Sequence, residues 1–315
     1  MRMLFVMDPI HGVDIHHDST FAIMLEAHNR GHEVSYCLPT DLRLEHGAPV
    51  GNVQRAALRA MKGDHVTLSP AESVPLRSLD LIFMRKDPPF DMEYIFATYL
   101  LEAAEPHAVV VNRPASLRSH NEKLYALQFP EFCPDTLVSS DVVQIRAFQQ
   151  RLGTAIVVKP LDGNGGEGIF VLAEGDPNLN VAVELSTRKG RRPVMAQRYL
   201  PEARLGDKRV LFVNGEVVGA INRVPKGADP RGNMVRGAVA ERTVLTPREQ
   251  TMCAALGPRL VADGHLFVGI DVIGEHLTEV NVTSPTGIHE VNRLEGVAVE
   301  RRVIDALEAA RPRPG

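Results

Sequence analysis

Val157-Val158-Lys159-Pro160-Leu161-Asp162-Gly163-Asn164-Gly165-Gly166-Glu167-Gly168-Ile169-Phe170-Val171 is the stretch on which the fold turns. Gly163, Gly165 and Gly168 satisfy G-x-G-x-x-G letter for letter. A dinucleotide fingerprint, however, runs from a strand through its glycines into a helix whose N-terminus meets pyrophosphate. Here the glycines lead into Ile169-Phe170-Val171-Leu172, a β pattern, and the nicotinamide reading fails. A Walker loop fails too, because no Gly-Lys-Ser/Thr follows. Strand, glycine loop and second strand instead make a hairpin of the kind that covers ATP phosphates with bare backbone N–H groups. The kinase set is incomplete, since the lysine precedes the loop and neither His-Arg-Asp nor Asp-Phe-Gly occurs. Lys159, one strand-end before the loop, is placed to meet a phosphate as a compact positive charge. Taken alone, the stretch reads equally as a flexible hairpin with a surface lysine.

A second stretch breaks that tie. Gly269-Ile270-Asp271-Val272-Ile273-Gly274-Glu275-His276-Leu277-Thr278-Glu279-Val280-Asn281 puts three oxygen donors on a tight hairpin. Glu279 and Asn281 are two apart and share one face of their strand. A three-residue turn at 274–276 would set Asp271 opposite Glu279 on that face. A two-residue turn would point Asp271 to the other side and dissolve the site. Acids in so apolar a strand would repel and lose hydration unless a cation sat between them. Mg²⁺ suits carboxylates completed by phosphate oxygens, and Asn281 adds a neutral oxygen. Solvent-facing charge on an edge strand is the bland alternative.

The rest of the chain bounds the problem. Its 315 residues exceed what one core usually holds, so two or three domains are expected. Hydrophobic residues at 44% and charged residues at 23% exclude disordered and fibrous classes. Lys plus Arg number 35 against 39 Asp plus Glu, too balanced to suggest electrostatic binding to nucleic acid or an anionic membrane. Cys37, Cys133 and Cys253 are too few and too scattered for a disulfide framework or a zinc site, and read as free thiols of a cytoplasmic protein. With no histidine signature beside them, core packing is preferred over nucleophilic roles for Cys133 and Cys253. The apolar start at 3–7 is too short for a signal peptide or a membrane span and reads as a buried strand.

Strands and helices alternate over the first 120 residues, which predicts a parallel, doubly wound sheet. Strands are expected at 3–7, 33–38, 79–84 and 108–111. Ser19 is expected to cap a helix to about Arg30, Asp91 caps another, and 41–78 reads as a long irregular connection. A helix from Asp141 to Leu152, strands at 155–159, 169–172 and 194–199 and a helix at 177–187 form the middle. The last third holds strands at 209–213 and 217–222, then Thr246-Pro247-Arg248-Glu249, a strong helix start with a capping threonine and a glutamate three residues on. The hairpin at 267–280 and one final helix from Glu290 to Ala309 close the chain.

With Lys159, the glycine loop and the acid hairpin in hand, the chain resembles the ATP-grasp ligases, and among them the bacterial glutathione synthetase family. The resemblance runs through Phe5-Val6-Met7-Asp8-Pro9-Ile10, Asp18-Ser19, Met84-Arg85-Lys86-Asp87-Pro88-Pro89-Phe90-Asp91 and Asn112-Arg113-Pro114-Ala115-Ser116-Leu117-Arg118 to Asn121-Glu122-Lys123. It continues in Val158-Lys159-Pro160-Leu161-Asp162-Gly163, Gly206-Asp207-Lys208-Arg209, Phe267-Val268-Gly269-Ile270-Asp271 and Thr278-Glu279-Val280-Asn281-Val282-Thr283-Ser284-Pro285-Thr286-Gly287. It implies an α/β (in part α+β) ATP-grasp fold in three parts. These are a Rossmann-like parallel-sheet domain at 1–121, a small central lid domain at 122–199 and a C-terminal antiparallel-sheet domain at 200–315.

The family roles fall on matching positions. Lys123 and Lys159 would touch ATP phosphates beneath Gly163, Gly165, Gly166 and Gly168. Gln197, Arg198, Tyr199 and Leu200 would read adenine, and Asp207 would meet ribose. Asp271, Glu279 and Asn281 would hold Mg²⁺, with Mn²⁺ as the substitute. Arg209 and Arg223 would act beside the acyl phosphate, and Ser284, Thr286 and Gly287 would line the substrate pocket. The implied reaction joins γ-glutamylcysteine to glycine through an acyl phosphate; a related ligase with another peptide or amino acid is the variant. A cytoplasmic homo-oligomer is implied, with small-molecule substrates and neither nucleic acid nor membrane as partner.

Two departures bear on the substrate. The family's Gly-Gly-Arg run is out of register at 235–241, leaving Arg236, and the position after Ile288 is His289 in place of arginine. Either Arg236 and His289 compensate or the substrate differs. A non-catalytic ATP-binding protein is the competing class, against which the complete set of Lys123, Lys159, Asp271, Glu279 and Asn281 speaks. His16-His17 reads as a solvated or weakly substrate-facing pair in a loop, and the basic run 189–192 as a basic loop in preference to a nucleic-acid patch.

Overall fold

The computed structural model describes residues 1–226 and 237–310. The apolar run at the start becomes β1 (Arg2–Val6), whose residues from Met3 on are fully buried. After it come α1 (Ser19–Asn29) and β2 (Glu33–Cys37), then β3 (Leu42–Glu45), β4 (Ala48–Leu58), β5 (Val66–Leu68) and β6 (Glu72–Pro75). β7 (Leu81–Met84), α2 (Met92–Glu102), β8 (Val109–Val111) and α3 (Pro114–Ser119) complete this part. The sheet order is β3-β4-β2-β1-β7-β8, with β2, β1, β7 and β8 mutually parallel. The expected parallel sheet is therefore only one end of it, four of the eight strands. The stretch 41–78 is not an irregular connection: β4 runs antiparallel to β2 and carries β3, β5 and β6 along its length. Small residues such as Gly51 and Ala56 stand there among Asn52, Gln54 and Arg55, which hides a strand from a hydrophobicity reading.

The cap of α1 is also one residue earlier than expected. Asp18 accepts from the Phe21 N–H at 2.6 Å. Ser19 is thereby free to turn its hydroxyl toward the N–H groups of Gly287 and Ile288, at 3.2 and 3.3 Å. One side chain thus ties the first helix to the far end of the chain.

The middle part consists of α4 (Glu122–Ala126), β9 (Thr136–Ser139), α5 (Val142–Leu152), β10 (Ile156–Pro160), β11 (Phe170–Leu172), α6 (Leu179–Ser186) and β12 (Val194–Arg198). Its antiparallel sheet has the order β11-β10-β12-β9, and β9 is the strand the sequence did not disclose. This sheet and α5 and α6 enclose a core of their own built on Ile145, Phe148, Ile156, Val158 and Val183. Ile156 and Val158 point into it, so the alternation of a strand sends Val157 and Lys159 to the opposite face.

The last part contains β13 (Asp207–Val213), β14 (Glu216–Val224), β15 (Val239–Arg242), α7 (Pro247–Ala262), β16 (Phe267–Ile273), β17 (His276–Asn281), α8 (Ile288–Glu295) and α9 (Val299–Ala309). The sheet is antiparallel throughout, β15-β14-β13-β16-β17. Thr246 and Glu249 close the expected capping box at the start of α7. The single final helix is instead two, broken at Gly296 in the left-handed conformation (φ 73°). The break lets α9 pack back on α1, where Arg30 reaches Asp305 and Glu308.

Candidate active site

The hairpin of β16 and β17 decides whether the acids meet. Ile273 pairs with His276, so the turn has two residues, Gly274 and Glu275, both at positive φ (51° and 66°). Such a turn alone would have turned Asp271 away from Glu279. A bulge restores the register: Val272 pairs with Leu277, Thr278 is extra, and Asp271 pairs with Glu279. The Thr278 hydroxyl donates to the Asp271 carbonyl at 3.1 Å and so helps hold the bulge. Gly269 then pairs with Asn281 on the same face.

The row extends across the sheet. Arg209 of β13 pairs with Asp271, and Asp207 of β13 pairs with Arg223 of β14. Arg209 donates to both Asp271 oxygens, at 2.6 and 3.1 Å, and to the Thr286 carbonyl at 3.2 Å. A Cβ at Gly269 would lie 3.0 Å from Arg209 Cδ, so glycine there leaves room for the arginine to lie flat. Arg223 donates to Asp207 at 2.6 Å and lies 3.0 Å from Asp271 Oδ1. Burial alone would raise the Asp271 carboxyl, but the two guanidinium groups hold it well below the usual carboxylate range. At Asp207 desolvation outweighs Arg223 and the more distant Arg209 and pushes the carboxyl up to about 7, the charge of Asp271 adding to the rise.

Facing this row are the two lysines. Lys123 of α4 donates to the Gly163 carbonyl at 2.6 Å and lies 3.3 Å from Glu279. Lys159 is 8% exposed, and among the described residues its amine makes no hydrogen bond or ion pair. Burial pushes its pKa down, and Glu279 across the cleft pulls the other way. A buried, unmatched ammonium is costly unless an anion arrives to meet it.

Between these walls lies a cleft of about 450 Å³. Its lining includes Lys123, Lys159, Gly163, Gly165, Gly166, Gln197, Arg198, Tyr199, Leu200, Asp207, Arg209, Arg223, Asp271, Glu279, Asn281, Ser284 and Thr286. Two expected residues lie outside that lining. Gly168 sits at the loop's exit, at φ 66°, against Pro160, and Gly287 is the N-cap of α8, at φ 115°. Gly165, Gly166 and Gly168 all take left-handed conformations (φ 60°, 77° and 66°), which is why the loop requires glycine. Gln197 is buried and donates to Thr136 at 3.0 Å, while Arg198 reaches Asp135 at 3.1 Å.

The donor set suits a small divalent cation. Asp271 and Glu279 face each other, and the Asn281 amide has a buried Nδ2 without a partner. Rotating that amide puts its oxygen at the same spot, and Asp271 Oδ2, which accepts one bond from Arg209, keeps a second lone pair, while Oδ1 is taken up by Arg209 and Arg223. Among the described residues no three His, Cys, Asp or Glu side chains form a complete metal cage. Phosphate oxygens would have to supply the remainder, as is usual for Mg²⁺.

The structure adds residues that the sequence reading passed over. Asp87, Glu122, Asn164, Thr278 and Thr283 line the cleft. Arg85 is fully buried and donates to Thr20 and to the Pro285 carbonyl, each at 3.0 Å, under the substrate loop. Asp87 and Glu122 stand inside quoted motifs, yet no local pattern assigns them a role. His289 does not reach the cleft, because its ring lies 3.1 Å from the Asp18 carbonyl. Arg236 falls outside the described residues. His17 lies beside Glu290 at 3.2 Å, and Arg192 of the basic run beside Asp162 at 2.8 Å. No helix among the described residues is long and apolar enough to cross a membrane.

Comparison with known proteins agrees over the whole chain. Residues 1–118 match the family described as prokaryotic glutathione synthetase, N-terminal domain, and residues 122–296 match prokaryotic glutathione synthetase, ATP-grasp domain. A glutathione synthetase of Synechococcus elongatus is 49% identical, covering 98% of each chain. One of Rhodopseudomonas palustris is 47% identical, covering 99% of each. Among solved structures, D-cycloserine synthetase DcsG superposes with a TM-score of 0.69 at 14% identity, over 98% of this chain and 99% of its own. The ATP-grasp ligase PsnB, complexed with a minimal precursor, gives 0.64 at 17%, over 98% and 99%. These two share the ATP-grasp fold. By its family matches and its full-length relatives, this chain belongs to the prokaryotic glutathione synthetase family.

Proposed function

We propose that the protein is an ATP-dependent ligase that joins the glycyl-accepting carboxylate of γ-glutamylcysteine to the amine of glycine, releasing glutathione, ADP and phosphate. The observation that carries this reading is Lys159, a buried ammonium without an ion-pair partner among the described residues, set opposite the Arg209–Asp271–Arg223 row in one cleft. Two anions, a carboxylate and a triphosphate, must meet there, and their repulsion is the main barrier to be removed.

Lys123 and Lys159 take the phosphates, and the loop from Gly163 to Gly168 closes above them. The segment from Gln197 to Leu200 receives adenine, and Asp207 the ribose. Asp271, Glu279 and Asn281 would hold Mg²⁺, or Mn²⁺ in its place, which supplies charge neutralisation and a template for the phosphates. Arg209 and Arg223 stabilise charge on the phosphoryl group as the substrate carboxylate attacks the γ-phosphorus and ADP leaves. Ser284 and Thr286, with Gly287 behind them as the N-cap of α8, orient the peptide so that the glycine amine can displace phosphate from the acyl phosphate. Closing the loop keeps water from that intermediate.

The chain is read as three working parts, 1–121, 122–199 and 200–315. The separate core of the middle part supports its role as the moving lid. Free Cys37, Cys133 and Cys253 support action in a reducing cytoplasm. The homo-oligomer rests on the family resemblance. The position of His289, turned onto Asp18, favours keeping a related peptide or amino-acid substrate as the second reading. ADP release measured with γ-glutamylcysteine and glycine, against a panel of dipeptides and amines, separates the two. Turnover that requires both proposed substrates supports the first, and turnover only with another pair replaces it.

A further inference from the structure

The helix that presents Lys123 is α4, only five residues long, too short to hold its own position. It is pinned by three successive side chains. Asn121 caps it, accepting from the Lys123 and Leu124 N–H groups, and donates to the Leu161 carbonyl at 2.9 Å. Lys123 reaches the Gly163 carbonyl at 2.6 Å, so both residues hold the root of the glycine loop. Glu122, between them, points the other way. Its Oε1 accepts from the N–H groups of Val282 and Thr283, both at 3.0 Å, and from the Thr283 hydroxyl at 2.8 Å. These donors follow directly on Asn281, at the end of the edge strand β17, where no further strand pairs among the described residues. One carboxylate oxygen thus does for that strand end what a neighbouring strand would do.

We propose that Glu122 is a positioning residue for the nucleotide: it locks α4 to the end of β17 and so sets the spacing between Lys123 and the face bearing Glu279 and Asn281. The inference deepens the ligase reading and rests on it. Lys123 lies 3.3 Å from Glu279, and a phosphate held by the lysine must meet a cation held by the glutamate and the asparagine. A shift of about 1 Å in such a pair can cost about a hundredfold in rate. Glu122 is partly buried, and desolvation with the charge of Glu279 raises its carboxyl, so its three donors are what keep it in place.

The test compares the full-length protein with Glu122→Gln and Glu122→Ala. Dissociation constants for ADP with Mg²⁺ are measured by calorimetry, and KM for ATP and for γ-glutamylcysteine by steady-state rates. Glutamine keeps the accepting oxygen and should stay within about threefold of wild type, whereas alanine should weaken ADP binding and raise KM for ATP by about tenfold. KM for γ-glutamylcysteine should move less than about twofold in both variants. Equal impairment of the two variants would overturn the proposal, because the charge itself would then be in use. Loss of thermal stability with unchanged ADP affinity would overturn it as well. Should Glu122→Ala fail to fold, Thr283→Val removes one of the three donors and should shift ADP affinity in the same direction by less; no shift there counts against the proposal. A wild type that binds ADP with Mg²⁺ yet makes no glutathione would sink the substrate reading, while the binding comparison would still decide the role of Glu122.

Discussion

Arg209 grips both oxygens of Asp271, Nε at 2.6 Å and Nη2 at 3.1 Å, from the directly opposing position on the neighbouring strand. The pair is buried on both sides, and Arg223 completes it from 3.0 Å. A planar fork is what two oxygens and the Thr286 carbonyl together require, and lysine cannot supply it. Arg209→Lys is therefore expected to lower kcat by about a hundredfold, with a stability loss of about 1–2 kcal/mol. Steady-state rates and urea unfolding check both. Near-normal turnover would remove Arg209 from the reacting group.

Lys159 presents the opposite case, a buried ammonium that makes no hydrogen bond or ion pair among the described residues. Replacing it should relieve a desolvation penalty as it removes the proposed phosphate ligand. Lys159→Met is expected to cut ATP turnover by about a hundredfold or more while the unfolding midpoint holds or rises. A variant that keeps its activity, or one that unfolds, would show that the amine has a different task.

Glu279 serves two neighbours, the proposed cation and Lys123 at 3.3 Å. Glu279→Gln keeps the shape and drops the charge. The Mg²⁺ concentration giving half-maximal rate should rise by about tenfold, because a neutral oxygen is a weaker ligand for a hard cation. A Mg²⁺ titration of rate reads this directly, and an unshifted curve would take Glu279 out of the metal site.

Away from the cleft, His265 sets a pH limit on stability. It is 1% exposed and meets His120 ring to ring at 2.8 Å, with Tyr125, Asp263 and Arg113 around it. Burial first, then the neighbouring His120, hold its pKa down from 6.5 to about 3. The unfolded chain therefore binds a proton that the folded chain refuses as pH falls below about 6.5, and stability declines from there downward. The loss should reach roughly 2–3 kcal/mol by about pH 4.5. His265→Leu, which cannot titrate, should flatten that part of the curve. Urea midpoints between about pH 7 and pH 4.5 test it, and an equal slope in the variant would assign the decline to other groups.

What could be read from the sequence was what local pattern decides. The glycine loop, the lysine before it and the capping box at Thr246 need only their neighbours, and they sit as expected. The acid hairpin was legible in composition but not in register: the turn proved to be the unfavourable two-residue form, and the extra residue Thr278 rescued the pairing. A bulge of that kind leaves no mark in the alternation of Leu277, Thr278 and Glu279. Glu122 and Arg85 were missed because their partners lie about 160 and 200 positions away, at Thr283 and Pro285. The strand β4 was missed for a different reason, since Asn52, Gln54, Arg55 and its small residues dilute the periodicity.

Central to the account is a carboxyl group made reactive by transfer of the γ-phosphoryl group. γ-Glutamylcysteine carrying ¹⁸O in its glycyl-accepting carboxylate, incubated with ATP, Mg²⁺ and glycine, follows that oxygen directly. One labelled oxygen should appear in inorganic phosphate for each glutathione formed, read by mass spectrometry. Glutathione formed beside unlabelled phosphate, or no glutathione at all, would contradict the account.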